Sequence, residues 1–398
     1  MTADRNTSRA SATPPRGFPP QEFEQRLAAA QAQMRAQRLD ALLLSTEPEV
    51  RYFSGFHSQF WESPTRPWFL IVPLEGKPVA VIPEIGLSGM AATWLDDIRT
   101  WPAPRPEDDG ISLLAETITA LSRRYGRLGV PMGHETFLRL PLQDFQKLST
   151  RLAALEIIDC APLIRQLRFI KSPAEIARIH HICDLASAAF ENLPQRMHSG
   201  QSEREICQDF RMDLLRRGAD NSPYLISGSG PDGYDNIIMG PSDRIIEQGD
   251  VLIIDTGTTF DGYFCDFDRN FAFGKVSDLT RRAYDTVYRA TDAGFAAARP
   301  GATLRDIWVA MWNILEAGGA LGNDVGRMGH GLGMQLTEGP SVTDRDDTPL
   351  RPGAVLTLEP GMTYAPGKQM VHEENIIITE NGARLLSRRA SPELPIIS

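Results

Sequence analysis

Residues 251–270, VLIIDTGTTFDGYFCDFDRN, constrain the fold more than any other segment. An apolar run at 251–254 and an aromatic-rich run at 263–267 both read as strands. Between them lies Thr258-Thr259-Phe260-Asp261-Gly262, and Asp-Gly is a strong hairpin signal. A turn centred between Phe260 and Asp261 sets Asp255 opposite Asp266. A turn one residue later sets it opposite Asp268. Asp266 and Asp268 are two apart and leave the same strand face. Either register gathers three carboxylates on one face, where like charges raise each other's pKa. A fold keeps such a group with a cation or a proton between its members. The alternative is a solvated acidic tip, against which stand the flanking Ile253, Ile254, Phe264 and Phe267.

At 398 residues the chain is long enough for two domains. No apolar run approaches the roughly 18–20 residues of a membrane span. A net charge of −10 disfavours nucleic acid as a partner. Cys160, Cys183, Cys207 and Cys265 show no paired spacing and fit reduced, buried thiols in a cytoplasmic protein. Residues 1–20 are polar and proline-rich, and read as a disordered tail.

Residues 21–160 read as a smaller α/β domain. A helix is expected over 22–38, strands over 41–44, 68–72 and 79–82, a helix over 111–124, and strands over 128–130 and 155–158. That alternation implies a parallel or mixed sheet. Residues 161–398 read as α+β. Ser172-Pro173-Ala174-Glu175 and Ser202-Glu203-Arg204-Glu205 are capping boxes opening helices to about 193 and 217. Further helices are expected over 279–298 and 304–317, and strands over 355–358 and 373–379.

Three more segments hold candidate ligands. Gly329-His330-Gly331 sets a histidine among glycines, where backbone can approach closely. Leu358-Glu359-Pro360-Gly361 ends an apolar run in a glutamate, and His372-Glu373-Glu374 opens another strand with acids. Each alone is equally at home as a structural or surface residue. Together they are oxygen-rich with one imidazole and no cysteine, which suits Mn²⁺, Fe²⁺, Co²⁺ or Zn²⁺. Such an inventory has room for two ions about 3.5–4 Å apart, with an acidified water between them.

The order of these motifs resembles the pita-bread metallohydrolases, the superfamily of methionine aminopeptidase, aminopeptidase P, prolidase and creatinase. Two aspartates eleven apart are followed by Gly-His-Gly, Glu-Pro-Gly-Met and a glutamate before a hydrophobic strand. The helix start Ile170-Lys171-Ser172-Pro173-Ala174-Glu175-Ile176 adds to the likeness. The resemblance covers 161–390 well, and the first domain resembles the creatinase/prolidase N-terminal domain more loosely. It implies that Asp255, Asp266, His330, Glu359 and Glu373 hold two divalent transition-metal ions. It also implies that Glu359 is the general base, and that the chain forms a homodimer.

The chain departs from the peptidase pattern at two histidines. Before Pro241-Ser242-Asp243-Arg244 the matching position is Ile238, and the later His-Glu pair reads Thr337-Glu338. One preorganised donor at a developing oxyanion is worth about 3–4 kcal/mol, so substitutes are needed. Tyr234, Asn236 and Asp235 are near enough in sequence. Arg66-Pro67-Trp68 resembles creatinase's Arg-Pro-aromatic segment, which implies a carboxylate-binding Arg66. Trp61 either faces a cationic substrate group or packs the core. Asp268 stands where creatinase has a glutamate and is a further catalytic candidate. The resulting expectation is a metal-dependent hydrolase cleaving a C–N bond in an Xaa-Pro-like dipeptide or a small amide with a free carboxylate. The alternatives are a creatinase- or ectoine-hydrolase-like amidohydrolase, a dimethylsulfoniopropionate lyase-like enzyme, and a pseudoenzyme.

Overall fold

The computed structural model describes residues 12–323 and 326–398. Two compact units divide the described chain, one over 16–168 and the other from 169 to 398 with the preceding residues up to Pro15. The segment 161–168 was expected in the second domain but belongs to the first, because Cys160, Leu163 and Ile164 are buried there and the Tyr52 hydroxyl donates to the Leu167 carbonyl at 3.3 Å. Most of the expected tail lies outside the described residues. Of its remainder, the Pro15 carbonyl accepts from Arg178 at 2.7 Å and Phe18 packs edge-on to Phe23.

The first unit is a six-stranded mixed sheet, made of β1 (Ala41–Leu44), β2 (Phe69–Pro73), β3 (Val79–Pro83), β4 (Asp97–Trp101), β5 (Arg127–Val130) and β6 (Glu156–Asp159) in the order β4-β3-β2-β1-β5-β6. β1–β2 and β2–β3 are antiparallel, and the other pairs are parallel. Helices α1 (Pro20–Gln37), α2 (Glu47–Ser54), α3 (Leu87–Ala91), α4 (Ile111–Ala120), α5 (Leu142–Arg151) and α6 (Ala161–Phe169) accompany it. The half-exposed β4, Asp97-Ile98-Arg99-Thr100-Trp101, carries no apolar run and was not expected from sequence.

The second unit begins with α7 (Pro173–Asn192) and α8 (Glu203–Arg217), both opened by the expected capping boxes. The strands β7 (Asn221–Pro231), β8 (Asp250–Phe260) and β9 (Tyr263–Phe273) follow, then α9 (Asp278–Ala297) and α10 (Leu304–Ala317). The remaining strands are β10 (His330–Gly331), β11 (Glu338–Ser341), β12 (Val355–Leu358), β13 (Gly361–Ala365), β14 (Lys368–Val371), β15 (Glu374–Thr379), β16 (Gly382–Leu385) and β17 (Ile396–Ile397). They form a four-stranded sheet β17-β9-β8-β7, a five-stranded sheet β11-β10-β12-β15-β16, and the pair β13-β14. The core between helices and sheets contains Val251, Val287, Ile307, Leu356 and Ile376. The hairpin is tied to α7 by polar contacts: Arg178 Nε meets Asp261 Oδ2 at 2.7 Å, and the Tyr263 hydroxyl donates to Glu175 at 3.0 Å.

Candidate metal centre

The β8–β9 hairpin takes the later of the two registers, pairing Phe260 with Tyr263 around Asp261-Gly262, both at positive φ (49° and 78°). Positive φ at both turn positions is the type I′ signature that suits strand twist. Asp255 therefore faces Asp268, and Asp266 faces Gly257. Counted from the hydrogen-bonded Phe260–Tyr263 pair, both are non-hydrogen-bonded pairs, in which side chains approach most closely. All three aspartates share one face.

Three segments of chain bring other groups to that face. His330 enters on β10, where the chain passes very close to β12. A Cβ on Gly329 would lie 2.2 Å from the Thr357 carbonyl oxygen, so only glycine fits there, and its φ is 132°. His330 Nδ1 donates to the Gly331 carbonyl at 2.9 Å, which fixes the tautomer and leaves Nε2 as an acceptor, 3.4 Å from Asp266 Oδ2. Glu359 stands at the end of β12, its N–H donating to the Met328 carbonyl at 3.0 Å. Glu373 lies between β14 and β15 rather than inside a strand as expected. Asp266, His330 and Glu373 each place a ligand atom within 4.8 Å of the others.

The electrostatics are those of a site waiting for positive charge. Burial raises the pKa of Asp255 and of Glu373, and the Asp266 carboxylate raises both further. Burial also raises Asp266, opposed by Arg327. Glu359 is pushed up to about 8 by burial, with His330 opposing and Asp255 and Asp266 adding to the rise. Asp255 Oδ1 and Glu373 Oε1 are buried without a hydrogen-bond partner among the described residues. Buried orphan oxygens are costly, and in an oxygen-rich cluster beside a fixed imidazole acceptor a divalent ion satisfies them. The chemistry of the five residues expected as ligands fits such an ion, and three of them, Asp266, His330 and Glu373, are brought within 4.8 Å of one another.

β9 and β15 belong to different sheets, and polar side chains rather than a β-ladder join them here. Asn375, fully buried, accepts from the Asp266 N–H at 3.0 Å through Oδ1 and donates through Nδ2 to the Asp266 carbonyl. Arg269 donates to the Asp268 carbonyl at 2.5 Å and to the Glu373 carbonyl at 3.2 Å. Tyr234 likewise ties β9 to β14: its hydroxyl donates to Asn270 at 2.9 Å and accepts from the Val371 N–H at 2.9 Å.

That engagement corrects the expectation for Tyr234: it is a core side chain with its hydroxyl committed, not a substrate contact. Asn236 is a loop residue whose Oδ1 accepts from the Met239 N–H at 3.3 Å. Ile238 is 75% exposed, so it has no buried place beside the carboxylates. Thr337 Oγ1 accepts from Arg327 at 3.5 Å, and Ser341 accepts from the same guanidinium at 3.2 Å. In the first unit, Trp61 packs 6.0 Å from Trp68, and the guanidinium of Arg139 lies 5.2 Å over its ring. Its face therefore meets a cation of its own unit rather than a substrate group. The guanidinium of Arg66 lies 5.3 Å from the Phe60 ring centre.

Two residues near the acids escaped the sequence reading. Tyr224 on β7 pairs with Gly257, so it shares the face of Asp255 and Asp266. A Cβ on Gly257 would lie 2.9 Å from Tyr224 Cβ, and burial, then Asp255 and Asp266, raise the pKa of its phenol. Arg327 lies three residues before His330, and its charge is felt by both Asp266 and Glu359. Neither belongs to a motif; Tyr224 sits on a strand interrupted by Pro223 and Gly228, which hid its register.

The comparisons with known proteins agree with this geometry. Residues 177–380 match the model of metallopeptidase family M24. The chain belongs to this family. Residues 26–170 match the creatinase/prolidase N-terminal domain. The probable dipeptidase PepE of Mycobacterium bovis is 26% identical over 370 residues, covering 92% of this chain and 95% of the relative. The Xaa-Pro dipeptidase of Pyrococcus horikoshii is 28% identical over 359 residues, covering 88% and 93%. The crystal structure of dipeptidase PepE from Mycobacterium ulcerans superposes with a TM-score of 0.83 at 27% identity, covering 96% of this chain and 99% of that one. Fold and family are thus those of the pita-bread hydrolases, enzymes that use divalent metal.

Proposed function

We propose that this M24 hydrolase cleaves the peptide bond of an Xaa-Pro-like dipeptide, or the C–N bond of a small amide with a free carboxylate. Asp255, Asp266, His330, Glu359 and Glu373 would hold two divalent transition-metal ions, Mn²⁺, Fe²⁺, Co²⁺ or Zn²⁺. The observation that carries the reading is the meeting of Asp266, His330 and Glu373 from three segments within 4.8 Å. When bound, the ions supply Lewis acidity and a water acidified toward neutral pH. Glu359, whose carboxyl is already pushed up to about 8 without metal, would take and return a proton at its Oε atoms. His330 keeps Nε2 available because Nδ1–H is held by the Gly331 carbonyl. Asn375 and Arg269 would keep Asp266 and Glu373 at fixed separation. A homodimer in the cytoplasm is part of this reading, supported by four buried free thiols for the compartment and testable by light scattering for the assembly.

The experiment is a substrate panel on Mn²⁺-loaded protein: Xaa-Pro dipeptides, other dipeptides, and creatine-like, ectoine-like and sulfonium compounds. Dipeptide cleavage is expected, lost on chelation and in Asp266→Ala. Metal-loaded protein that cleaves no dipeptide would refute the peptidase reading. A second reading, a non-peptide amidohydrolase, draws on the absence of an imidazole at Ile238 and Thr337 and on the added acid Asp268. Cleavage confined to the non-peptide compounds would favour it.

A further inference from the structure

Asp268 is a buried acid whose oxygens receive no hydrogen bond of ordinary geometry. It is 1% exposed, and among the described residues neither Oδ1 nor Oδ2 has a hydrogen-bond partner. Its own neighbour Arg269 does not neutralise it through a bond. That guanidinium is committed to the carbonyls of Asp268, Glu373 and Arg388 and to the Glu374 carboxylate at 3.2 Å. The Glu373 N–H faces the Asp268 carboxylate without making a hydrogen bond of ordinary geometry. A buried carboxylate with both oxygens unsatisfied is expensive, and native proteins retain one where something occupies it.

Its position says what that occupant is. Asp268 stands directly across from Asp255 in a non-hydrogen-bonded pair, where Cα atoms are about 4.5 Å apart. The bonds from Arg269 set its backbone beside that of Glu373. It is thus flanked by two proposed ligands that also carry orphan oxygens, Asp255 Oδ1 and Glu373 Oε1. Four buried oxygens without donors thus sit on three neighbouring side chains, and the charges of Asp255 and Glu359 are felt at Asp268.

We propose that Asp268 is a sixth ligand residue of the metal centre, contributing carboxylate oxygen to a divalent cation it shares with Asp255. The inference rests on the metal-centre reading above and goes beyond its five residues. It makes the site richer in oxygen, as suits a hard ion with high coordination number. No covalent step is involved; the carboxylate replaces water in the ion's shell.

The test uses full-length protein stripped by chelator and titrated with Mn²⁺ by calorimetry, as wild type, Asp268→Asn and Asp268→Ser. In both variants Mn²⁺ affinity is expected to fall at least about tenfold, the lower end of the loss seen when residues that merely support a ligand are removed. The metal-free variants are expected to melt no lower than metal-free wild type, because a buried carboxyl group with unsatisfied oxygens has been removed. The serine variant carries the test if the asparagine one does not fold. Unchanged Mn²⁺ affinity in either folded variant overturns the assignment while leaving the metal centre intact. Wild type that binds no Mn²⁺ overturns both.

Discussion

Replacing Asn375 by alanine isolates what holds Asp266 in place. Among the described residues the outer edge of β9 has no strand beside Asp266, since β17 pairs there with Ala272 and Phe273. The Asn375 side chain takes that strand's place, receiving the Asp266 N–H at 3.0 Å and donating to its carbonyl. The Cys183 thiol donates to the same Oδ1 at 3.3 Å. Truncation leaves the Asp266 N–H and C=O buried and unpaired. Each costs about 1–3 kcal/mol, so Asn375→Ala should cost about 2–6 kcal/mol. In a unit of this size 1 kcal/mol moves the melting temperature by about 2–4 °C, so the loss should be at least about 4 °C. Scanning calorimetry on metal-stripped protein reads this without interference from bound ions. The same samples should show Mn²⁺ affinity reduced by about tenfold, since a ligand has lost its support. A melting temperature within about 1 °C of wild type, with unchanged affinity, would refute the view that a side chain substitutes here for a ladder.

Lys171 and Glu338 form a buried pair at 2.9 Å, with side chains 2% and 5% exposed. Lys171→Met strands the glutamate and should destabilise by about 3–5 kcal/mol in urea titration, whereas Lys171→Met with Glu338→Gln should recover part of that; equal losses in single and double variants would count against the pair. A pH dependence follows from the raised carboxyl groups of the centre. For Glu359 the folded value of about 8 lies above its ordinary 4.5, so the metal-free native state holds the extra proton between them. Stability of metal-free protein should therefore fall as pH rises from about 4.5 through about 8. Burial pushes Asp255, Asp266 and Glu373 in the same direction. Urea midpoints at pH 5.5 and 8.5 check the sign, and a higher midpoint at pH 8.5 without metal would contradict it. Added Mn²⁺ should reverse the trend, because deprotonation then favours binding.

Where a function is local in sequence, it was legible. The Asp-Gly turn and the acids around it gave the hairpin, with the register left open between two choices that only cross-strand pairing decides. The capping boxes at Ser172 and Ser202 located α7 and α8 because their hydrogen bonds span three residues. What crosses between sheets was not legible. Asn375, Arg269 and Tyr234 act by bonding backbone 104 to 137 residues away, and no periodicity records that. Proximity in sequence misled for Tyr234, which faces the core, while Tyr224, ten residues earlier, reaches the acid face through its pairing with Gly257. Trp61 looked available to a ligand, yet the sequence could not show that Arg139 lies over its ring.

The most direct measurement is anomalous diffraction from crystals grown with Mn²⁺. Two peaks about 3.5–4 Å apart, bounded by Asp255, Asp266, His330, Glu359 and Glu373, are expected. Well-ordered crystals with these side chains in place and no anomalous peak among them would contradict the metal centre.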